Sequence, residues 1–128
     1  MHAAPPLLNL VVLRSPDIDR AAKFYSALGL LITKHSHGGP EHYTAVVAGF
    51  VFEIYPLTPR SGSTTSTRIG FNVDDVDSIV PSVVALGAEL ISPVRESEWG
   101  RRAVVKDLDG HTVELLTPPN RQENFGRC

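Results

Sequence analysis

Residues 17–29 read DIDRAAKFYSALG, and residues 75–87 repeat the pattern as DVDSIVPSVVALG. The offset is 58 residues throughout, from Asp17 to Asp75 and onward. In each copy an aspartate able to cap a helix precedes an apolar helical pattern, and a glycine able to end the helix follows it. A tandem repeat predicts two similar modules about an approximate twofold axis. It also predicts a site in the concavity where matched positions converge.

Strand patterns flank each copy of this repeat. An apolar run precedes each copy, at 10–13 and at 69–73, and its Val, Leu and Ile content is typical of a buried strand. Three further strand patterns follow each copy, and the last of them holds one acid, Glu53 or Glu114. The sequence therefore predicts an α+β fold in which each module is a strand, a helix and three strands.

The composition between the modules marks a boundary. Residues 58–66 are rich in Thr, Ser, Pro and Gly, which favours a linker between a first module at 7–57 and a second at 67–117. Residues 118–128 are polar and are predicted to form a tail. A chain of 128 residues suits one structural domain with a shared core.

Charge and composition argue against several classes of function. A formal net charge of −2 gives no electrostatic basis for binding nucleic acid or an anionic membrane. No apolar run approaches the ~20 residues of a membrane span, and the first residues lack the features of a signal peptide. The single cysteine, Cys128, cannot form an internal disulfide, so we expect a reducing, cytoplasmic location.

The order of these patterns resembles the vicinal-oxygen-chelate superfamily, which includes glyoxalase I, extradiol dioxygenases and bleomycin resistance proteins. The similarity covers about residues 8–117. It is carried by Asp17, Phe24, Tyr25, residues 27–29, WGRRAVV at 99–105 and DGHTVEL at 109–115. The resemblance implies tandem βαβββ modules whose curled mixed sheets surround a shared cleft. It implies a homodimer, since members often pair modules between chains, but no single reaction, because the fold hosts many.

Metal-dependent members of this family carry four metal ligands, and the resemblance assigns those positions to Leu10, Glu53, Arg68 and Glu114. Leucine has no donor atom, and arginine stays protonated. Two carboxylates are fewer than the three protein ligands of a typical catalytic zinc site. A register shift of one residue would offer Asn9 as a weak ligand but would not remove Arg68. We therefore expect no metal cofactor, and the alternative is a Zn, Ni, Mn or Fe ion.

Arginines are the first candidates for ligand binding. Arg68 is expected to replace the metal charge between Glu53 and Glu114 and to hold the modules together, and it could also face a ligand anion. Strand alternation places Arg14 on the same face as Leu10, where it could assist, and the alternative is a strand-end arginine in solvent.

Aromatic residues are further candidates for ligand contact. Tyr43 follows a Gly-Gly-Pro-Glu turn and begins a strand expected to line the cleft. Trp99 could form a flat wall for a ligand, or it could pack beneath a loop predicted at 92–100.

The catalytic candidates are Glu53, Glu114 and His42. A histidine beside a cleft can transfer protons near neutral pH, and the alternative is that His42 lies at the rim. His35 and His37 have a spacing suited to metal ligands on a strand, but the adjacent Gly-Gly turn favours a solvated loop.

Three functions remain open. The first is a metal-free protein that binds a small organic ligand in the cleft between the modules, like the bleomycin-resistance branch. The second is a lyase, isomerase or dioxygenase that depends on a divalent metal. The third is a metal-free enzyme with Glu53 or Glu114 as the proton-transfer base. The sequence leaves open both the ligand and whether the protein is an enzyme.

Overall fold

A computed structural model describes residues 4–119. The predicted tail lies outside the described residues from position 120 onward, as does Cys128. The described elements alternate as predicted, with strand, helix and three strands occurring twice. They are β1 (Leu10–Ser15), α1 (Ile18–Ala27), β2 (Ile32–His35), β3 (His42–Val47), β4 (Phe50–Pro56), β5 (Arg68–Asn72), α2 (Val76–Ala85), β6 (Glu89–Ser97), β7 (Gly100–Lys106) and β8 (Thr112–Thr117).

Each module forms its own four-stranded mixed sheet. The strand order is β1-β4-β3-β2 in sheet 1 and β5-β8-β7-β6 in sheet 2. The first strand of each module is parallel to the last, and the other pairs are antiparallel. The α+β prediction of tandem βαβββ modules is therefore confirmed, and the last strand of each module lies inside its sheet.

The two helices begin and end as the repeat predicts. Asp17 and Asp75 each accept a hydrogen bond from a backbone N–H of the first helical turn. Gly29 and Gly87 follow the helices with φ of 111° and 112°, a conformation that glycine adopts without steric cost. Within residues 4–119, neither helix has the length and apolar content needed to cross a membrane.

Strand β6 differs from the prediction. The sequence predicts a loop at 92–100, whereas β6 runs through Glu89–Ser97. Its pairing with β7 shifts register between Ser92 and Arg95, next to Pro93. A proline cannot donate to the strand ladder, but an edge strand with a bulge tolerates it.

The two modules pack against each other through the helix-covered faces of their sheets. The Tyr25 ring on α1 lies 4.9 Å from Phe52 of its own module and 6.0 Å from Phe71 of the other, and those two rings are 5.7 Å apart. All three side chains are buried. Burying such a side chain contributes roughly 1.5–3 kcal/mol, so this junction is a large part of the shared core.

A buried polar network also joins the modules. The Tyr25 hydroxyl donates to Asp107 Oδ2 at 2.6 Å, and His111 Nδ1 lies 2.8 Å from the same oxygen. Asp107 Oδ1 accepts hydrogen bonds from the backbone N–H groups of residues 109–111 in the β7–β8 turn. His111 Nε2 lies 2.7 Å from Thr64 Oγ1, so the network extends to the linker. His111 thus connects the β7–β8 turn to the linker.

The other face of each sheet is not covered by its helix. Because side chains alternate along a strand, Leu13 points toward α1 while Leu10 points the other way and is 48% exposed. We call these uncovered surfaces the open face of sheet 1 and the open face of sheet 2. The open face of sheet 1 carries Leu10, Arg14, His42, Thr44, Val46, Glu53 and Tyr55. The open face of sheet 2 carries Arg68, Asn72, Arg102, Glu114 and Leu116.

Candidate functional site

Glu114 lies at the centre of the open face of sheet 2. Its strand β8 is flanked by β5 and β7, which bring an arginine to either side. Arg102 donates from Nη2 and Nε to Glu114 Oε1 at 2.7 and 3.1 Å, and Arg68 Nε donates to Oε2. Hydrogen bonds from Arg102 and then Arg68 hold the pKa of Glu114 below its ordinary value. Glu114 is therefore an anion with both oxygens engaged.

Glu53 occupies the matching position on the open face of sheet 1 but has different neighbours. Thr44 Oγ1 donates to Glu53 Oε2 at 3.0 Å, and His42 Nε2 lies 3.8 Å from the same oxygen. His42 Nδ1 lies 3.1 Å from the Pro40 carbonyl oxygen. A carbonyl oxygen can only accept a hydrogen bond, so Nδ1 of His42 must be the donor and carry the hydrogen. In the neutral ring the lone pair is then on Nε2. The structure thus brings together two of the catalytic candidates, and His42 Nε2 can accept a proton beside a carboxylate.

Arg68 does not bridge the two glutamates as the sequence analysis expected. Among residues 4–119, no hydrogen bond or ion pair joins Glu53 to Arg68 or to Glu114. The physical reason is the packing of the modules, which contact each other through Tyr25 and the other helix-side residues. The two matched acids therefore lie in separate environments within one chain.

Flat side chains form a row across the open face of sheet 1. The His42 and Tyr55 rings stack at 4.3 Å with an interplanar angle of 6°. The Arg14 guanidinium lies 5.2 Å from the centre of the Tyr55 ring, and the His35 ring lies 5.7 Å from His42 on the other side. His37 continues the row, with its ring 5.8 Å from His35. The strand order β1-β4-β3-β2 produces this row, and Arg14 is part of it.

Tyr43 is not on the open face, which corrects its assignment as a ligand contact. Alternation places it opposite to His42, toward α1, where its hydroxyl donates to Asp19 Oδ1 at 2.6 Å. This hydrogen bond raises the pKa of Tyr43 above its ordinary value. Of these two neighbouring candidates, His42 lies on the open face and Tyr43 on the helix-covered face.

Trp99 lies in the tight turn between β6 and β7 and is 62% exposed. It lines a cavity of about 350 Å³ together with Arg102, Glu114 and Leu116, all from the second module. Trp99 is therefore a wall of this cavity, and its contact with a ligand stays a prediction.

A second set of potential metal ligands lies in the β7–β8 turn. One ligand atom each of Asp107, Asp109 and His111 falls within 4.8 Å of the others. Both oxygens of Asp107 and both ring nitrogens of His111 already have partners in the network with Tyr25 and Thr64. Asp109 Oδ1 pairs with Arg20 at 2.9 Å, which leaves only the buried Oδ2 without a partner. One uncommitted oxygen does not make a divalent-metal site.

Residues 7–115 match the family model described as the Glyoxalase/Bleomycin resistance protein/Dioxygenase superfamily. The chain belongs to this superfamily. The match spans both modules and both open faces.

A sequence relative and two solved structures illustrate the range of proteins that are similar to this chain. An uncharacterized protein of Mycolicibacterium smegmatis is 27% identical over 114 residues, which cover 89% of this chain and 96% of that protein. The oxidase ChaP-H2 has a similar structure, with a TM-score of 0.70, 23% identity and coverage of 91% and 96%. TnmS3, an antibiotic binding protein from Streptomyces sp. CB03234, has a TM-score of 0.66, 21% identity and coverage of 91% and 99%. Both solved structures have the same fold as this chain.

The residues at the superfamily's metal positions do not fit a metal ion. Leu10 offers no donor atom, and Arg68 brings a fixed positive charge. Glu114 already accepts hydrogen bonds from Arg68 and Arg102 on both oxygens, so a cation would have to displace them. Glu53 remains as a single carboxylate with Thr44 and His42 beside it.

Arg102 and Tyr55 contribute to these surfaces, although the sequence analysis did not select them. Tyr55 could have been found by alternation, because it is two residues from Glu53 on the same strand. Arg102 on β7 contacts Glu114 on β8 diagonally, because the residue directly opposite Arg102 in the strand pairing is Leu116. That diagonal contact depends on a strand register that the sequence alone does not specify.

Proposed function

We propose that this protein binds a small organic ligand on the open faces of its sheets and that it does so without a metal ion. One observation carries the proposal, namely that two arginines hold Glu114 at a position where metal-dependent relatives have a ligand. The arrangement favours recognition by charge and ring stacking over Lewis-acid chemistry. TnmS3 supports the proposal, because it has this fold and is described as an antibiotic binding protein.

The open faces have the chemistry that such a ligand needs. Sheet 1 presents the stacked His42 and Tyr55 rings, and sheet 2 presents the exposed indole of Trp99. Aromatic side chains supply large contact areas for organic ligands, and a few polar groups then set orientation. Glu53, Arg68 and Arg102 are such groups.

A thermal-shift screen of small organic compounds in EDTA tests this proposal. A ligand at 100 times its Kd stabilises the native state by about 2.7 kcal/mol, which raises Tm on the order of 10 °C. We expect at least one compound to raise Tm of the wild type but not of Trp99→Ser. Val84→Ser is the control, because Val84 is an exposed residue of α2, which lies on the helix-covered side of sheet 2. A rise in Tm with Zn, Ni, Mn or Fe(II) in a parallel series without EDTA, together with no rise for any organic compound, would contradict the proposal.

We further infer that two copies associate and that the second copy completes the site. Leu10 is 48% and Val46 75% exposed on the open face of sheet 1, and β1, β2, β5 and β6 are edge strands. Exposed apolar side chains and unpaired strand edges favour association. An open face of one copy could then be covered by an open face of the other.

Light scattering tests the homodimer. The expected mass is twice that of the 13.9 kDa chain, and Val46→Asp should shift the equilibrium toward monomer because it places a charge in the interface. Val84→Asp adds the same charge at an exposed site on α2, away from the open faces, and should remain dimeric. A wild-type mass of 13.9 kDa at high micromolar concentration would refute the dimer.

A further inference from the structure

We propose that the cavity beside Trp99 selects a planar aromatic anion, such as an aromatic carboxylate, over a neutral aromatic molecule of the same shape. This inference rests on the proposed function, since it names the class of ligand for the open face of sheet 2.

The shape of the cavity suits a small flat molecule. Its volume is about 350 Å³, near the lower end of the range for small-molecule sites. Trp99 provides one flat wall, and Leu116 adds apolar surface beside it. A fused two-ring system can stack on the indole while its substituent reaches Arg102.

The charge of the cavity favours an anionic substituent. Arg68 and Arg102 share the single carboxylate of Glu114, so the cluster has one positive charge in excess. Among residues 4–119, Nη1 and Nη2 of Arg68 and Nη1 of Arg102 have no hydrogen-bond partner. Guanidinium N–H groups bind carboxylates with strong, directional hydrogen bonds. A neutral ligand would leave the excess charge without a counterion.

Glu114 positions these donors before a ligand arrives. Three hydrogen bonds fix the Arg102 and Arg68 guanidinium groups against β8. Their side chains are 30% and 55% exposed, so their outer N–H groups remain accessible. Donors that are already ordered lose less conformational entropy on binding, which improves affinity for a matching anion.

The open face of sheet 1 lacks this excess charge. Arg14 lies against the Tyr55 ring and donates to the Pro56 carbonyl oxygen at 3.2 Å. Glu53 on the same face balances its charge. The preference for an anion is therefore assigned to sheet 2.

Calorimetric titration with 2-naphthoate and 2-naphthamide tests the inference, because the two probes share a shape and differ in charge. In EDTA at pH 7.5 and low salt, we expect naphthoate to bind the wild type at least about tenfold more tightly. The preference should shrink as salt screens the arginines.

Variants identify the residues responsible. Arg102→Gln should remove the preference for naphthoate, and Trp99→Ser should weaken the binding of both probes. Arg101→Gln is the matched control, because Arg101 is adjacent on β7 and pairs with Asp77 and Glu96 on the other side.

Different failures have different meanings. Equal binding of both probes, no binding of naphthoate, or a preference that persists in Arg102→Gln would overturn the anion inference. If a neutral compound binds and Trp99→Ser abolishes that binding, the proposed function stands while the anion inference fails. The proposed function itself fails if no organic compound stabilises the protein in the thermal-shift screen.

Discussion

Replacing Asp107 with alanine is expected to lower the free energy of unfolding by about 3–5 kcal/mol. Asp107 is 6% exposed and accepts hydrogen bonds from three backbone N–H groups of the β7–β8 turn. It also holds the buried Tyr25 hydroxyl and the His111 ring. Alanine would leave the buried Tyr25 hydroxyl and the buried His111 backbone N–H and ring Nδ1 without this partner, at the place where the two modules meet.

Urea unfolding of the wild type and the variant measures this loss. Asp74→Ala is the matched control, because Asp74 is an exposed aspartate of the same module. The control should change the free energy of unfolding by no more than about 0.5 kcal/mol. A loss below about 1 kcal/mol in Asp107→Ala would show that the network contributes little to the junction.

The same network predicts a dependence of stability on pH. Burial acts to raise the pKa of Asp107, but hydrogen bonds from His111 and Tyr25 and the charge of His111 outweigh it, so the pKa is lowered. The ionised carboxylate therefore stabilises the native state above the unfolded pKa of about 3.9. This contribution is lost as the pH falls through the lower folded pKa. The stability difference between wild type and Asp107→Asn should shrink as the pH falls below about 4.

Gly100→Ala is expected to cost about 3–5 kcal/mol, for reasons of backbone conformation and space. Gly100 is buried and has φ of +128°, a conformation that residues with a Cβ rarely adopt. A Cβ at this position would overlap the Thr117 carbonyl oxygen and lie 2.9 Å from Pro118 Cα. Both obstacles are backbone atoms of the chain after β8, so neither can move without disturbing the sheet.

Gly49→Ala separates the two contributions to this cost. Gly49 also has a positive φ, +96°, but a Cβ there would meet no atom within 4 Å. It should cost only about 1 kcal/mol, because it carries the conformational strain without the overlap. Equal losses of stability in the two variants would refute the steric explanation for Gly100.

The fold could be predicted because its signals are local. The caps at Asp17 and Asp75 and the glycines that end the helices each lie within a few residues of the structure they specify. Strand β6 was only partly predicted, since Pro93 normally interrupts a strand. It is accommodated by register shifts in an edge strand, which a single sequence does not reveal.

The site was predicted less completely, because it depends on contacts between distant residues. The resemblance to the superfamily assigned Glu53, Arg68 and Glu114 to matched positions of the two modules. It could not show that the modules meet through their helix-covered faces, and within residues 4–119 of one chain Arg68 does not bridge to Glu53. Arg102 was missed for a related reason, because its contact with Glu114 joins two neighbouring strands, β7 and β8, and depends on their register.

Native mass spectrometry of the protein after equilibration with a cell extract tests the central claim most directly, since one spectrum reports chain number, metal and organic ligand. After treatment with EDTA, we expect two chains that carry an organic molecule and no divalent ion, and Trp99→Ser should lose that molecule. A stoichiometric divalent ion that persists in the wild type and disappears in Glu114→Gln would contradict metal-independent binding.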